Sequence, residues 1–119
     1  MLTLQTILDH IELKVLTDPV DFSEIEIHTG YTSDLLSCVM TGAQAECIWI
    51  TLIANINVVA VASLLEIPAV IITENAQPDA ATIARANQEG IVLLSTPVGS
   101  YQIVGRLWEL GIKDTDPNK

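Results

Sequence analysis

The chain has 119 residues, 15 acidic against 5 basic, and a formal net charge of -10; half of it is apolar. That composition fits one globular domain and excludes a disordered chain, which combines low hydrophobicity with high net charge. It also argues against nucleic-acid binding, which needs clustered Lys and Arg, whereas Lys14, Arg85, Arg106, Lys113 and Lys119 are scattered.

Residues 3–11 predict a short helix: Thr3 can cap it, and Leu4, Ile7, Leu8 and Ile11 form a 3.6-residue stripe. The first ten residues lack a basic segment and a small-residue cleavage site, so no signal peptide is expected. Residues 13–16 read as a short strand, followed by a turn at Thr17-Asp18-Pro19. Residues 24–28 alternate Glu-Ile-Glu-Ile-His, the pattern of a half-exposed strand near a sheet edge, ended by Thr29-Gly30-Tyr31. A helix is expected from Thr32 or Ser33 to about Thr41, with Asp34 in its first turn complementing the dipole and Gly42 at its end.

A regular pattern follows. Residues 47–53, 69–73 and 91–95 are continuous apolar runs of strand length, each followed by a helix: 56–65, 79–89 and 100–110. Pro78 and Gly90 mark the ends of the second helix, and Gly111 ends the third. Apolar runs without alternation are strands buried on both faces, so these are βαβ units. The fold class is therefore α/β: a layered α/β/α domain over residues 1–112 with a mainly parallel sheet. The earlier half adds one or two strands, antiparallel among them, and residues 113–119 form a polar tail. The stretch 47–72 holds 20 apolar residues of 26. Asn55, Asn57, Ser63, Glu66 and Pro68 break it into strand and helix lengths, so no membrane span is expected and the cytoplasm is the expected location. Helix 56–65 is apolar nearly all round, which implies either complete coverage by its own core or contact with a second subunit, most simply in a homodimer.

In a parallel α/β sheet, ligands bind beyond the carboxyl ends of the strands. The candidates there are Thr29, Gly30, Ser33, Thr51, Asn55 and Asn57, with Thr73, Ser95 and Ser100 further along. Hydroxyls, amides and helix N-termini suit a small anionic ligand, although the same residue types also serve as ordinary caps and turns. No catalytic set is expected: there is no GxSxG, Walker A or GxGxxG pattern, and no acidic residue ends a strand as a phosphate acceptor would require. His10 and His28 have no ligand-spaced partners in the sequence, so neither a metal nor another cofactor is expected. Cys38 and Cys47 lie on different elements and read as free thiols.

The runs Thr29-Gly30-Tyr31-Thr32-Ser33-Asp34-Leu35-Leu36, Ile48-Trp49-Ile50-Thr51 and Asn57-Val58-Val59-Ala60-Val61-Ala62 resemble the stand-alone DRTGG-domain proteins. The resemblance continues through Pro78-Asp79 and Glu89-Gly90-Ile91 to Gly105-Arg106-Leu107. Of the five-residue signature, Thr29 and Gly30 match, and Tyr31 stands in the place of a second glycine. The resemblance implies a fold like the N-terminal domain of HPr kinase/phosphorylase. It also implies the company the family keeps, beside CBS domains and within some phosphotransacetylases. That points to a non-enzymatic regulatory or ligand-sensing module acting by protein contact, with a small anionic or nucleotide-like ligand. The alternatives are a small enzyme acting on a phosphorylated or acyl metabolite, and a ligand-free scaffold.

Overall fold

The three apolar runs lie side by side as parallel strands, and the helices between them cover both faces. The computed structural model describes residues 2–114. In chain order its elements are β1 (Leu2–Thr3), α1 (Leu4–His10), β2 (Lys14–Val15), a 3-10 turn (Phe22–Glu24), β3 (Glu26–Ile27), β4 (Thr29–Thr32), α2 (Leu36–Gly42), β5 (Cys47–Thr51), α3 (Ile56–Leu65), β6 (Ala69–Ile72), α4 (Ala80–Glu89), β7 (Val92–Ser95) and α5 (Ser100–Leu110). The main sheet has five strands in the order β2-β7-β6-β5-β4. β4 to β7 are mutually parallel and β2 joins β7 antiparallel. β1 and β3 form a separate antiparallel pair.

Side chains alternate between two cores, as the two-residue period of a strand requires. Ile48 and Ile50 of β5, Ala69 and Ile71 of β6, and Val92 and Leu94 of β7 pack with Leu4 and Ile7 of α1 and Ile103 and Leu107 of α5. Cys47, Trp49, Val70, Ile72 and Leu93 face the other way, against Val39 of α2, Val58, Val59 and Ala62 of α3, and Ala86 of α4. The result is the expected three-layer α/β/α sandwich.

The helix limits follow local chemistry. Thr3 Oγ1 accepts the Thr6 N–H at the start of α1. Asp79 Oδ1 accepts both the Thr82 N–H (2.8 Å) and the Thr82 hydroxyl (2.7 Å) at the start of α4. Gly90 and Gly111 end α4 and α5 with left-handed φ of 72° and 111°. α3 ends in the same conformation at Glu66, φ 60°, without a glycine.

Two early segments depart from the sequence reading. The strand expected at 24–28 is a 3-10 turn followed by the two-residue β3, because Asp21 Oδ1 accepts the Ser23 N–H and winds the chain up. The main-sheet edge is instead β4, where Thr29, Tyr31 and Thr32 supply β-favouring side chains. Gly30 fits there because a Cβ would lie 3.3 Å from Ile112 Cγ2. Likewise α2 begins at Leu36, not at Ser33. Ser33 Oγ accepts the Leu35 N–H (3.1 Å), and Asp34 turns away to β5 instead of serving the helix dipole.

The Gly30 N–H donates to Lys113 O (2.8 Å), so the chain leaving α5 lies against β4. Of the expected polar tail, residues 115–119 lie outside the described residues. Among the described residues no helix is long and apolar enough to cross a membrane.

Candidate functional site

Beyond the carboxyl ends of β4 to β7 the polar groups are bonded mainly to one another. The Thr51 hydroxyl donates to Asp34 Oδ1 (2.8 Å), which also accepts the Leu52 N–H (2.7 Å). The Thr32 hydroxyl donates to Ile50 O (3.0 Å), and Trp49 Nε1 donates to Ser33 O (3.0 Å). The Thr73 and Ser100 hydroxyls share a 2.6 Å hydrogen bond. Asn55 Oδ1 accepts the Asn57 N–H (2.9 Å) at the start of α3. Glu74 and Asn75 both adopt left-handed φ, 57° and 62°, and their N–H groups donate to Val98 O and Thr96 O.

The six candidate residues therefore fall into two groups. Ser33, Thr51, Asn55 and Asn57 lie at or just beyond the carboxyl ends of β4 and β5. Thr29 and Gly30 lie inside β4, in register with Cys47 and Ile48, toward its amino end. Thr29 and Thr51 are buried, while Asn55 and Asn57 are exposed. The same rim carries exposed apolar side chains: Leu35 before α2, Leu52 after β5, Ile56 at the start of α3 and Tyr101 in the first turn of α5. Tyr101 is 95% exposed, so its ring gains nothing from the core of this chain.

A second feature was not visible in the sequence. A cavity of about 300 Å³ opens between β4 and α5, lined by Gly30, Ile50, Leu107, Trp108, Ile112 and Lys113. Its walls are mainly apolar, with Thr32, Lys113 and Asp114 as the polar residues among them. The ammonium of Lys113 lies 4.4 Å from the centre of the Trp108 ring and donates to Trp108 O (3.0 Å). Burial of Ile103 and Leu107 marks one face of α5, and that period is legible. What sequence could not show is that residues 112–113 return alongside β4 and close the cavity. The Tyr31 side chain, by contrast, turns to α2: its hydroxyl donates to Cys38 O (3.0 Å).

At the opposite, amino ends of the strands, carboxylates do surround His28. They come from Glu26 and from Glu46 in the turn before β5. Glu26 stands two positions before His28, a signal present in the sequence, but Glu46 arrives only through the parallel register of β4 on β5.

Among the described residues, two ionisable groups are displaced by their surroundings. Burial pushes the Cys47 thiol up to about 12. Hydrogen bonds from the Thr82 hydroxyl and N–H hold the Asp79 carboxyl below the usual carboxylate range.

The five-stranded, mostly parallel sheet with helices on both faces is a DRTGG-like fold. Among solved structures, the chain is similar to the CBS and DRTGG domains of the regulatory region of Clostridium perfringens pyrophosphatase, solved with its activator diadenosine tetraphosphate. The TM-score is 0.67 at 16% identity, covering 98% of this chain and 51% of that one. This chain thus spans about half the length of that regulatory region. No protein-family model and no curated protein sequence matches it.

Proposed function

We propose that this chain is a non-enzymatic regulatory module that works in the cytoplasm as a homodimer, through protein contact, and senses a small anionic, nucleotide-like ligand. The observation that carries this reading is the likeness in fold, over 98% of the chain, to a regulatory region solved with a nucleotide activator.

Two physical features support it. The hydroxyls and the carboxylate at the carboxyl-end rim are engaged with one another, while Leu35, Leu52, Ile56 and Tyr101 remain in water. Such residues gain about 25 cal/mol for each Å² of apolar surface covered, so the rim favours a protein partner, here a second copy. The cavity between β4 and α5 offers the apolar Trp108 wall for a base, and Lys113 for a phosphate, with the Asp114 carboxylate beside it as a counterweight that a bound cation or the ligand's own hydroxyls would have to meet. Of the candidate residues, Gly30 lines that cavity, and Asn57 is exposed at the rim where a partner would meet it.

The test has two arms. Thermal unfolding is followed with diadenosine tetraphosphate, ATP and inorganic phosphate. A nucleotide at 100 times its Kd adds about 2.7 kcal/mol of stability, and Lys113→Ala should abolish most of that gain. Sedimentation over a concentration series should give a dimer that Leu52→Glu and Tyr101→Glu dissociate. A monomer at every concentration, together with no shift from any nucleotide, overturns the reading.

A further inference from the structure

Away from the cavity and the rim, at the amino ends of the parallel strands, three side chains bring ligand atoms together. One donor atom each from Glu26, His28 and Glu46 lies within 4.8 Å of the other two. His28 Nε2 is 2.7 Å from Glu46 Oε2 and 3.6 Å from Glu26 Oε2. The imidazole is only 13% exposed, whereas the Glu26 and Glu46 side chains are 56% and 48% exposed.

The backbone sets this arrangement before any ligand arrives. The His28 N–H donates to Glu46 O (2.9 Å), and the Glu46 N–H donates to Glu66 O (3.0 Å). Glu46 itself holds φ at 62°, in the left-handed region that a side chain rarely adopts. Two carboxylates thus converge on one imidazole nitrogen in a chain whose net charge is already -10. Glu24 and Glu66 line the same concavity. Like charges this close raise the energy of the cluster unless a cation sits among them.

We propose that Glu26, His28 and Glu46 form a binding site for a divalent metal ion of the zinc type. One imidazole nitrogen and two carboxylate oxygens are the ligand classes of zinc, and three protein ligands leave a fourth position for water. Magnesium and calcium favour all-oxygen shells, so the imidazole selects against them. A tetrahedral ion with bonds of about 2.1 Å separates neighbouring ligand atoms by about 3.4 Å. The observed 3.6 Å and 2.7 Å lie on either side of that spacing. The Glu46 carboxylate must withdraw slightly from the imidazole, and both carboxylates are about half exposed, which leaves them room to adjust. A bound ion joins β3, which belongs to the small sheet, to the turn that feeds β5 of the main sheet. It therefore fastens the two sheets together at the end remote from the proposed nucleotide cavity.

The test uses the full chain after dialysis against a chelator. Calorimetric titration with zinc chloride should give one saturable site per chain, and zinc should raise the Tm. Cobalt(II) should give the visible absorption of a four-coordinate ion. Glu26→Gln and His28→Gln should each weaken zinc binding at least tenfold, and His10→Gln, on α1, should leave it unchanged. Glu26 is exposed, so its variant keeps the fold, which circular dichroism checks. Absence of saturable binding overturns the proposal, as does binding insensitive to Glu26→Gln and His28→Gln, or magnesium binding as tightly as zinc. None of these outcomes depends on nucleotide binding or on dimer formation.

Discussion

The Thr51 hydroxyl donates to Asp34 Oδ1 at 2.8 Å, and the same carboxylate oxygen accepts the Leu52 N–H at 2.7 Å. One side chain from the loop after β4 thereby closes the carboxyl end of β5. Thr51 is fully buried, so without Asp34 its hydroxyl loses its acceptor in a place water does not reach. Hydrogen bonds to a charged acceptor contribute about 1.5–3 kcal/mol each, and loss of both is softened by the exposure of Asp34. Asp34→Ala should cost about 2 kcal/mol in urea unfolding and Asp34→Asn, which keeps an acceptor, about half of that. A double-mutant cycle with Thr51→Val should return a coupling energy of about 1 kcal/mol; additivity would show that the pair contributes nothing.

Asp79 gives a pH signature. Its carboxyl is held below the ordinary range by the Thr82 hydroxyl and N–H, so the ionised form is favoured in the folded chain. A lowered folded value means stability that is present above the unfolded carboxyl pKa of about 3.9 and is lost as pH falls through the lower folded value. Asp79→Ala should therefore lower the Tm at pH 7, and the gap from the unaltered protein should close as the pH is taken below about 4. A gap that is independent of pH would assign the loss to helix capping alone.

The two cysteines should separate by reactivity. Cys38 is exposed, and Cys47 is buried with its thiol pushed up to about 12. At pH 8 a thiol reagent should modify one cysteine per folded chain and two in denaturant. A thiol raised above its unfolded value of about 8.5 contributes stability that is complete below that value and is lost as pH rises toward the folded one. Stability should accordingly fall between about pH 8.5 and the folded value of about 12, and Cys47→Ala should flatten that part of the profile.

Gly42, the last residue of α2, faces the Tyr31 ring. A Cβ there would stand 2.6 Å from the hydroxyl oxygen and 2.9 Å from ring carbons. Alanine gains up to about 1 kcal/mol over glycine in a helix, and overpacking costs about 1–3 kcal/mol. Gly42→Ala should therefore destabilise the chain by about 1 kcal/mol in chemical unfolding. In a Tyr31→Ala background the same substitution should stabilise it.

The second half of the chain was readable because each element there carries its own instructions. β5, β6 and β7 are apolar on both faces, α3 and α5 lie at the predicted residues, and Asp79 and Gly90 mark α4 by local capping. The first half was harder because long-range partners overrode local pattern. The alternation of residues 24–28 looks like an edge strand, yet Asp21 curls its start and β1 takes the rest. Thr29-Gly30-Tyr31 looks like a turn, yet β5 on one side and Ile112 and Lys113 on the other hold it extended. Asp34 has the position of a helix-dipole residue, and only the folded sheet offers it Thr51. Topology suffices to put Ser33, Thr51, Asn55 and Asn57 near the carboxyl ends of β4 and β5, because each ends or closely follows a strand. The cavity beside Trp108 and the approach of Glu46 to His28 need residues far apart in sequence, which composition and spacing do not reveal.

The bond from the Gly30 N–H to Lys113 O has a consequence for self-association. It occupies an outward amide of β4, and the opposite flank of the sheet ends in β2, which is two residues long. Neither border presents a long row of vacant amides and carbonyls on which another chain could continue the ladder. Extension of the main sheet by a strand from another chain is therefore unfavourable at both of its described borders, which removes one common route to fibre growth.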